Sequence, residues 1–264
     1  MENQQFLLFT LRGPMSAFGE IAVGQRRSLW DAPSKSGVFG ILAACLGIRR
    51  EENVRLLALE KSFGFAVRVE NYGKALRDFH TAMAPTEAAR SRRIKAGFPL
   101  NTRKDDLDCD DLTTMLSDRY YRLEASYTIG LWQKGNGEFD LDSVSKAIRV
   151  PIFTPYLGRK SCPLGFPPNP ILVKAGHLNE AFQNYDAKSF EQQLSLTKEV
   201  RFLPNQAFEN QDIWFEIDKN LNVGNENYQI RERRDSLRNR GLWQFSNRQE
   251  GKVKFLPKIE GVIE

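Results

Sequence analysis

The chain has 264 residues, 41% hydrophobic and 11% aromatic, which suits a globular core and excludes a wholly disordered polymer. Its 38 Lys and Arg against 33 Asp and Glu give a net charge of +5, which permits an anionic partner without requiring one. Mean hydropathy is -0.47, and the longest apolar run, Gly37 to Ile48, falls short of the roughly 20 residues of a membrane helix, so no membrane contact is expected.

Gln5 to Arg12 reads as a strand ending at the Gly13-Pro14 turn. Its nearly continuous apolar run predicts a central place in a sheet. Met15 to Pro33 reads as a loop. Ser34-Lys35-Ser36-Gly37 then opens an apolar helix that runs to about Gly47, with Ser34 as N-cap. Free backbone N–H groups and the positive dipole end make such a start a candidate phosphate seat. Asn53 to Lys61 reads as a second helix. Phe65 to Glu70 and Ala75 to Thr81 read as strands around an Asn71-Tyr72-Gly73 turn. Ala82 to Asp118 shows little apolar period and reads as an insertion. Arg119 to Gln133 alternates and predicts one long strand; Leu141 to Ile148 predicts a helix capped by Asp140 or Asp142.

Charge is unevenly placed. Arg90, Arg92, Arg93, Lys95, Arg103 and Lys104 are followed at once by Asp105, Asp106, Asp108, Asp110 and Asp111. Two readings stand: a basic arm that grips a phosphate backbone, or a solvated loop whose charges neutralise each other. Arg231, Arg233, Arg234, Arg238, Arg240 and Arg248 form a second cluster around Trp243 and Phe245. Interleaved Arg and aromatics suit single-stranded nucleic acid; an amphipathic element with core aromatics and surface Arg is the alternative. A third basic point lies in the loop Phe153 to Gly165, where Pro155 and Pro163 frame Gly158, Arg159, Lys160 and Ser161. It reads as a phosphate clamp or as a rigid turn.

The start Met-Glu-Asn-Gln-Gln lacks a basic region, so no secretion signal is expected. Cys45, Cys109 and Cys162 match no metal or redox spacing, and their odd number favours a reducing cytoplasm. With only His80 and His177, no metal site and no cofactor are expected. No P-loop, GxGxxG or HExxH is present.

Four ordered blocks carry a resemblance: Leu11 to Gly19, Pro33 to Ile48, Leu76 to Thr81 and Thr154 to Leu164. Through them the chain resembles the CasD-type subunits of type I-E CRISPR Cascade, in the repeat-associated mysterious protein (RAMP) superfamily. Phe18 stands where that pattern leads one to expect Trp, and Ser236 where it leads one to expect Pro. The resemblance implies an α+β fold: a ferredoxin-like palm over residues 1–81 and 119–264, an inserted thumb over 82–118 and a β-rich C-terminal extension. It implies a non-catalytic subunit that holds the 5′ handle of the CRISPR RNA. The subunit would cap the backbone filament, contacting the adjacent backbone subunit and the large PAM-reading subunit, and through it, indirectly, target DNA. Candidate RNA contacts are Ser34, Lys35, Ser36, Gly37, Arg90, Arg92, Arg93, Arg159, Lys160 and Ser161 for phosphates, with His80, Tyr120, Tyr121 and Tyr156 for bases. A related subgroup cleaves RNA without metal, using His, Lys and Tyr. That leaves a second reading, an endoribonuclease with His80 as general acid or base beside Lys35 or Lys160. The stretch Phe190 to Asn222 has no assigned role.

Overall fold

The structure, a computed structural model, describes residues 3–19, 26–135, 137–196, 211–225 and 227–257. The elements run β1 (Gln4–Arg12), β2 (Met15–Ser16), β3 (Arg26–Arg27), α1 (Lys35–Cys45), α2 (Asn53–Ser62), β4 (Phe63–Asn71), β5 (Lys74–Pro85), α3 (Glu87–Lys95) and α4 (Arg103–Leu107). They continue with β6 (Leu112–Leu123), β7 (Ser126–Gln133), α5 (Leu141–Arg149), β8 (Ile171–Ala175), α6 (Leu178–Leu196), β9 (Asp212–Glu216), β10 (Gln229–Asn239) and β11 (Gln244–Lys254).

Seven strands form one antiparallel sheet in the order β10-β11-β9-β4-β7-β1-β8. Its right half, β4-β7-β1-β8, is built from β1, α1–α2, β4, β7, α5 and β8, a β-α-β-β-α-β chain order. β1 lies between β7 and β8, the central place its apolar run predicts. Both faces of that strand are covered, which is why its apolar residues do not alternate. Phe6 and Leu8 join the cluster around Trp132, Leu178, Phe182 and Phe215. Alternate residues Leu7, Phe9 and Leu11 are also fully buried. On the α1 side, Phe39 meets Phe65 edge to face at 6.3 Å.

Local chemistry sets the helix starts. The Ser34 hydroxyl accepts the Gly37 N–H at 3.1 Å, and Asp140, not Asp142, accepts the Ser143 N–H at 2.7 Å. His177 takes the same part before α6, its Nδ1 accepting the Glu180 N–H at 3.1 Å.

One sequence expectation is corrected. The single strand over Arg119 to Gln133 is two strands, β6 and β7, which belong to different sheets. The chain turns at Glu124, whose φ of +56° is left-handed, a break that alternation alone does not reveal. The stretch Ala82 to Asp118 contains two short helices, α3 and α4, each started by a Thr cap, Thr86 and Thr102. Both helices are too exposed to show an apolar stripe.

The chain divides into two compact units: residues 1–18, 30–74 and 122–264 in the first, 19–29 and 75–121 in the second. In the second, β5 pairs with β6, and Arg77 forks onto Asp118 at 2.9–3.1 Å. Among the described residues no helix is long and apolar enough to cross a membrane. Gly24, placed in the Met15 to Pro33 loop, lies outside the described residues, as does the 197–210 part of the stretch Phe190 to Asn222; the rest of that stretch supplies the end of α6 and β9.

Candidate nucleic-acid interface

In the first unit, three of the four resemblance blocks meet at Ala17 and Phe18. The Ala17 N–H donates to the Leu157 carbonyl at 2.9 Å, and the Gly165 N–H donates to the Arg12 carbonyl at 2.9 Å. The loop Thr154 to Leu164 is thereby laid along Gly13 to Phe18. Gly158 makes that approach possible: its φ is +90°, and a Cβ there would stand 2.1 Å from the Ala17 carbonyl oxygen. On the other side, the Phe18 ring packs against Gly37 in the first turn of α1. Phe18 also meets Tyr127 edge to face at 5.9 Å.

The loop is held from within. Leu157 and Cys162 are fully buried and joined by a backbone hydrogen bond of 2.7 Å. Burial raises the Cys162 thiol above its ordinary pKa, which keeps it neutral. Arg159 and Tyr156 are half-buried, while Lys160 and Ser161 are exposed at the tip. A rigid frame therefore presents a short polar and cationic tip, the arrangement a phosphate clamp needs.

The start of α1 differs from expectation. Lys35 is 3% exposed, so its ammonium does not face solvent. It pairs with Glu216 at 2.8 Å and lies 3.9 Å from Glu60. Glu216 also holds Lys134 at 2.7 Å. Burial alone would raise Glu216, but Lys35 and Lys134 outweigh it and hold the carboxyl below its usual range. For Glu60 burial wins, and its pKa is raised. The anion seat of the helix is likewise filled from inside: Asp235 Oδ2 accepts the Lys35 N–H at 2.8 Å, and Ser34 accepts that of Gly37. Ser34 is buried, and Ser36 and Gly37 are half-buried. Lys35 as an outward phosphate contact is thus corrected: the residue anchors the helix to β9 and β10.

The Arg cluster of β10 and β11 is also largely internal. Glu250, two residues past Arg248, is fully buried and receives Arg231 at 2.9 Å, Arg233 at 3.2 Å and Arg248 at 2.6 Å. Asp235 takes Arg248 at 2.6 Å. Arg233 donates to the Ala32 carbonyl at 2.7 Å, and Arg231 lies 3.7 Å over the Trp214 ring. Arg233 thereby ties the hairpin to the segment before α1, and all three guanidinium groups are paired with buried carboxylates.

In the second unit, Arg92 lies 3.3 Å from Asp110, and Arg93 lies 3.7 Å from Asp108, so the acidic run partly neutralises the basic arm. Arg90 is exposed. His80 is half-exposed, with Nδ1 3.7 Å from Asp78 Oδ2. Tyr120 is half-buried, but Tyr121 is only 7% exposed, which removes its ring as a stacking platform. Arg12, which the sequence patterns do not single out, is exposed and lies 5.1 Å over the Phe166 ring beside the loop Thr154 to Leu164. The available signal was its place at the end of an otherwise apolar strand.

The fold is that of CRISPR-associated proteins. A chain of a CRISPR RNA-guided surveillance complex matches 95% of this chain over 90% of its own, with a TM-score of 0.58 and 22% identity. A Cas protein crystal structure matches 96% of this chain over 95% of its own, with a TM-score of 0.56 and 23% identity. In sequence, residues 6–241 match the CRISPR-associated protein family Cas_Cas5. The CRISPR system Cascade subunit CasD of Escherichia coli (strain K12) is 32% identical over 191 residues, covering 69% of this chain and 78% of that protein. The chain belongs to the Cas5 family of CRISPR-associated proteins, and within it is CasD-like.

Proposed function

We propose that this chain is a non-catalytic RNA-binding subunit of a type I-E Cascade complex, working in the cytoplasm. In this reading it holds the 5′ handle of the CRISPR RNA and caps the backbone filament next to the large subunit. The observation that carries the reading is the 32% identity to a Cascade subunit across most of both chains. The β8-β1-β7-β4 order with α1 and α5 supports a ferredoxin-like palm, and segment 82–118 would be its thumb. The grip would lie at Arg159, Lys160 and Ser161, with Tyr156 beside them. Ser34, Ser36 and Gly37 would shape the floor, and His80, Arg90, Arg92 and Arg93 would supply further contacts. Binding of this kind is driven by counterion release from phosphates, so it weakens as salt rises. Changing Arg159 and Lys160 together to Ala should weaken binding of handle-bearing RNA; unchanged affinity across a salt series would refute the clamp.

One observation favours a metal-independent endoribonuclease instead. Asp78 Oδ2 lies 3.7 Å from His80 Nδ1, beyond hydrogen-bond length, and would have to close on the ring to orient it for proton transfer. Lys35 is unavailable to that chemistry because it is buried in ion pairs. Discrete cleavage of repeat RNA in chelator, lost in His80→Ala, would establish this second reading.

A further inference from the structure

The tip of the β10–β11 hairpin differs from its base. At the base, Arg231, Arg233 and Arg248 are matched by Glu250 and Asp235. At the tip, the chain turns through Arg240 to Trp243, with the Trp243 N–H donating to the Arg240 carbonyl at 3.3 Å. Asn53, at the start of α2, accepts the Arg240 N–H at 2.8 Å and fixes the turn to the body. Trp243 has a φ of +52°, which disfavours a bulky side chain, yet the residue is 58% exposed and gains little burial in return. Two guanidinium groups lie over its ring, Arg240 at 4.1 Å and Arg50 at 5.5 Å from the centroid. Among the described residues neither makes an ion pair with a carboxylate. Burial pushes the Arg240 pKa down, and the charge of Arg50 pushes it further.

Two like charges held together without an acid, beside an exposed indole, call for an anion that carries a flat ring. An acidic side chain would satisfy the charges but leave the solvent-exposed part of the indole uncovered. A nucleotide satisfies both, with phosphate oxygens for the planar forks and a base for the indole. We propose that Arg50, Arg240 and Trp243 form a nucleotide-binding point for single-stranded RNA, with one phosphate between the guanidinium groups and one base stacked on Trp243. The inference rests on the RNA-binding reading above and extends it to a hairpin outside the clamp loop.

The test uses the full chain and a fluorescein-labelled single-stranded RNA copied from its host's CRISPR repeat, followed by anisotropy across a salt series. Trp243→Asn should weaken binding about tenfold or more. Its melting temperature should hold or rise, because Asn accepts a left-handed backbone. Trp243→Phe should keep most of the affinity. Arg50→Ala with Arg240→Ala should lower the log–log salt slope by about 1.4. If the wild type binds and all these variants match it, this inference falls while the RNA-binding reading stands. If the wild type binds no RNA at any salt, the RNA-binding reading itself falls and takes the inference with it. If the variants keep RNA binding but lose binding to polyglutamate, the tip is a contact for acidic protein and the inference is overturned.

Discussion

Asp235 Oδ2 accepts the backbone N–H of Lys35 at 2.8 Å, joining the C-terminal hairpin to the first turn of α1 across 200 residues of chain. The same carboxylate receives Arg248 at 2.6 Å and lies 3.3 Å from Arg233. It therefore caps a helix and neutralises two buried cations at once. Asp235→Ala should cost about 3–5 kcal/mol, because it leaves buried guanidinium groups uncompensated. Asp235→Asn keeps an acceptor for the helix and should cost less. Urea unfolding of both variants checks the order; equal stability of Asp235→Ala and wild type would contradict it.

Lys35 and the clamp loop should separate in experiment. Lys35→Met removes a buried ammonium from Glu216 and Glu60, so it should lower the melting temperature and leave the salt slope of RNA binding unchanged. Arg159→Ala with Lys160→Ala should do the reverse, with little loss of stability and a log–log slope shallower by about 1.4. A Lys35→Met slope that falls as far would return this lysine to the RNA interface.

His80 gives the sharpest test of catalysis. Purified protein incubated with repeat RNA in chelator should yield no discrete product, and His80→Ala should look the same on a denaturing gel. A defined cut present in wild type and absent in the variant would make the chain an enzyme.

Acid should unfold the protein through its buried carboxylates. Burial alone would raise Glu70, but Arg68, Ser126 and Thr128 outweigh it and hold its pKa low. The same balance holds for Glu216 and for Asp212, which Lys254, Tyr72 and Lys252 keep ionised. Groups whose folded pKa is depressed contribute stability above their unfolded values, about 3.9 for Asp and 4.3 for Glu, and lose it as pH falls through the folded ones. Glu60, whose pKa is raised, works the other way: its contribution is present at low pH and lost as pH rises. The melting temperature should be nearly flat from about pH 7 to pH 5 and drop below about pH 4.5. Glu216→Gln should make that acid drop shallower, and a drop as steep as in wild type would remove Glu216 from the account.

Elements set by local chemistry were legible in the sequence. Ser34 and Asp140 announced their helices, and the apolar run of β1 announced a strand covered on both faces. What depends on distant partners was not. Nothing in Ser34-Lys35-Ser36-Gly37 says that Asp235 fills its anion seat, or that Glu216 takes the ammonium. The Arg cluster from Arg231 to Arg248 reads as a single-strand patch because Glu250 lies just past its end, and strand pairing, not sequence proximity, brings Arg231 beside it. Within that cluster Trp243 stays exposed, while Arg231, Arg233 and Arg248 on the strands are held in ion pairs.

On the proposed function, this chain grips the leading end of the guide RNA. The direct measurement is photocrosslinking in the assembled Cascade, with 4-thiouridine placed singly along the 5′ handle, followed by mass spectrometry of the attached peptides. Crosslinks to peptides containing Arg159, Lys160 or Trp243 are the predicted result. Handle positions that attach only to other subunits, in a complex that contains this chain, would contradict it.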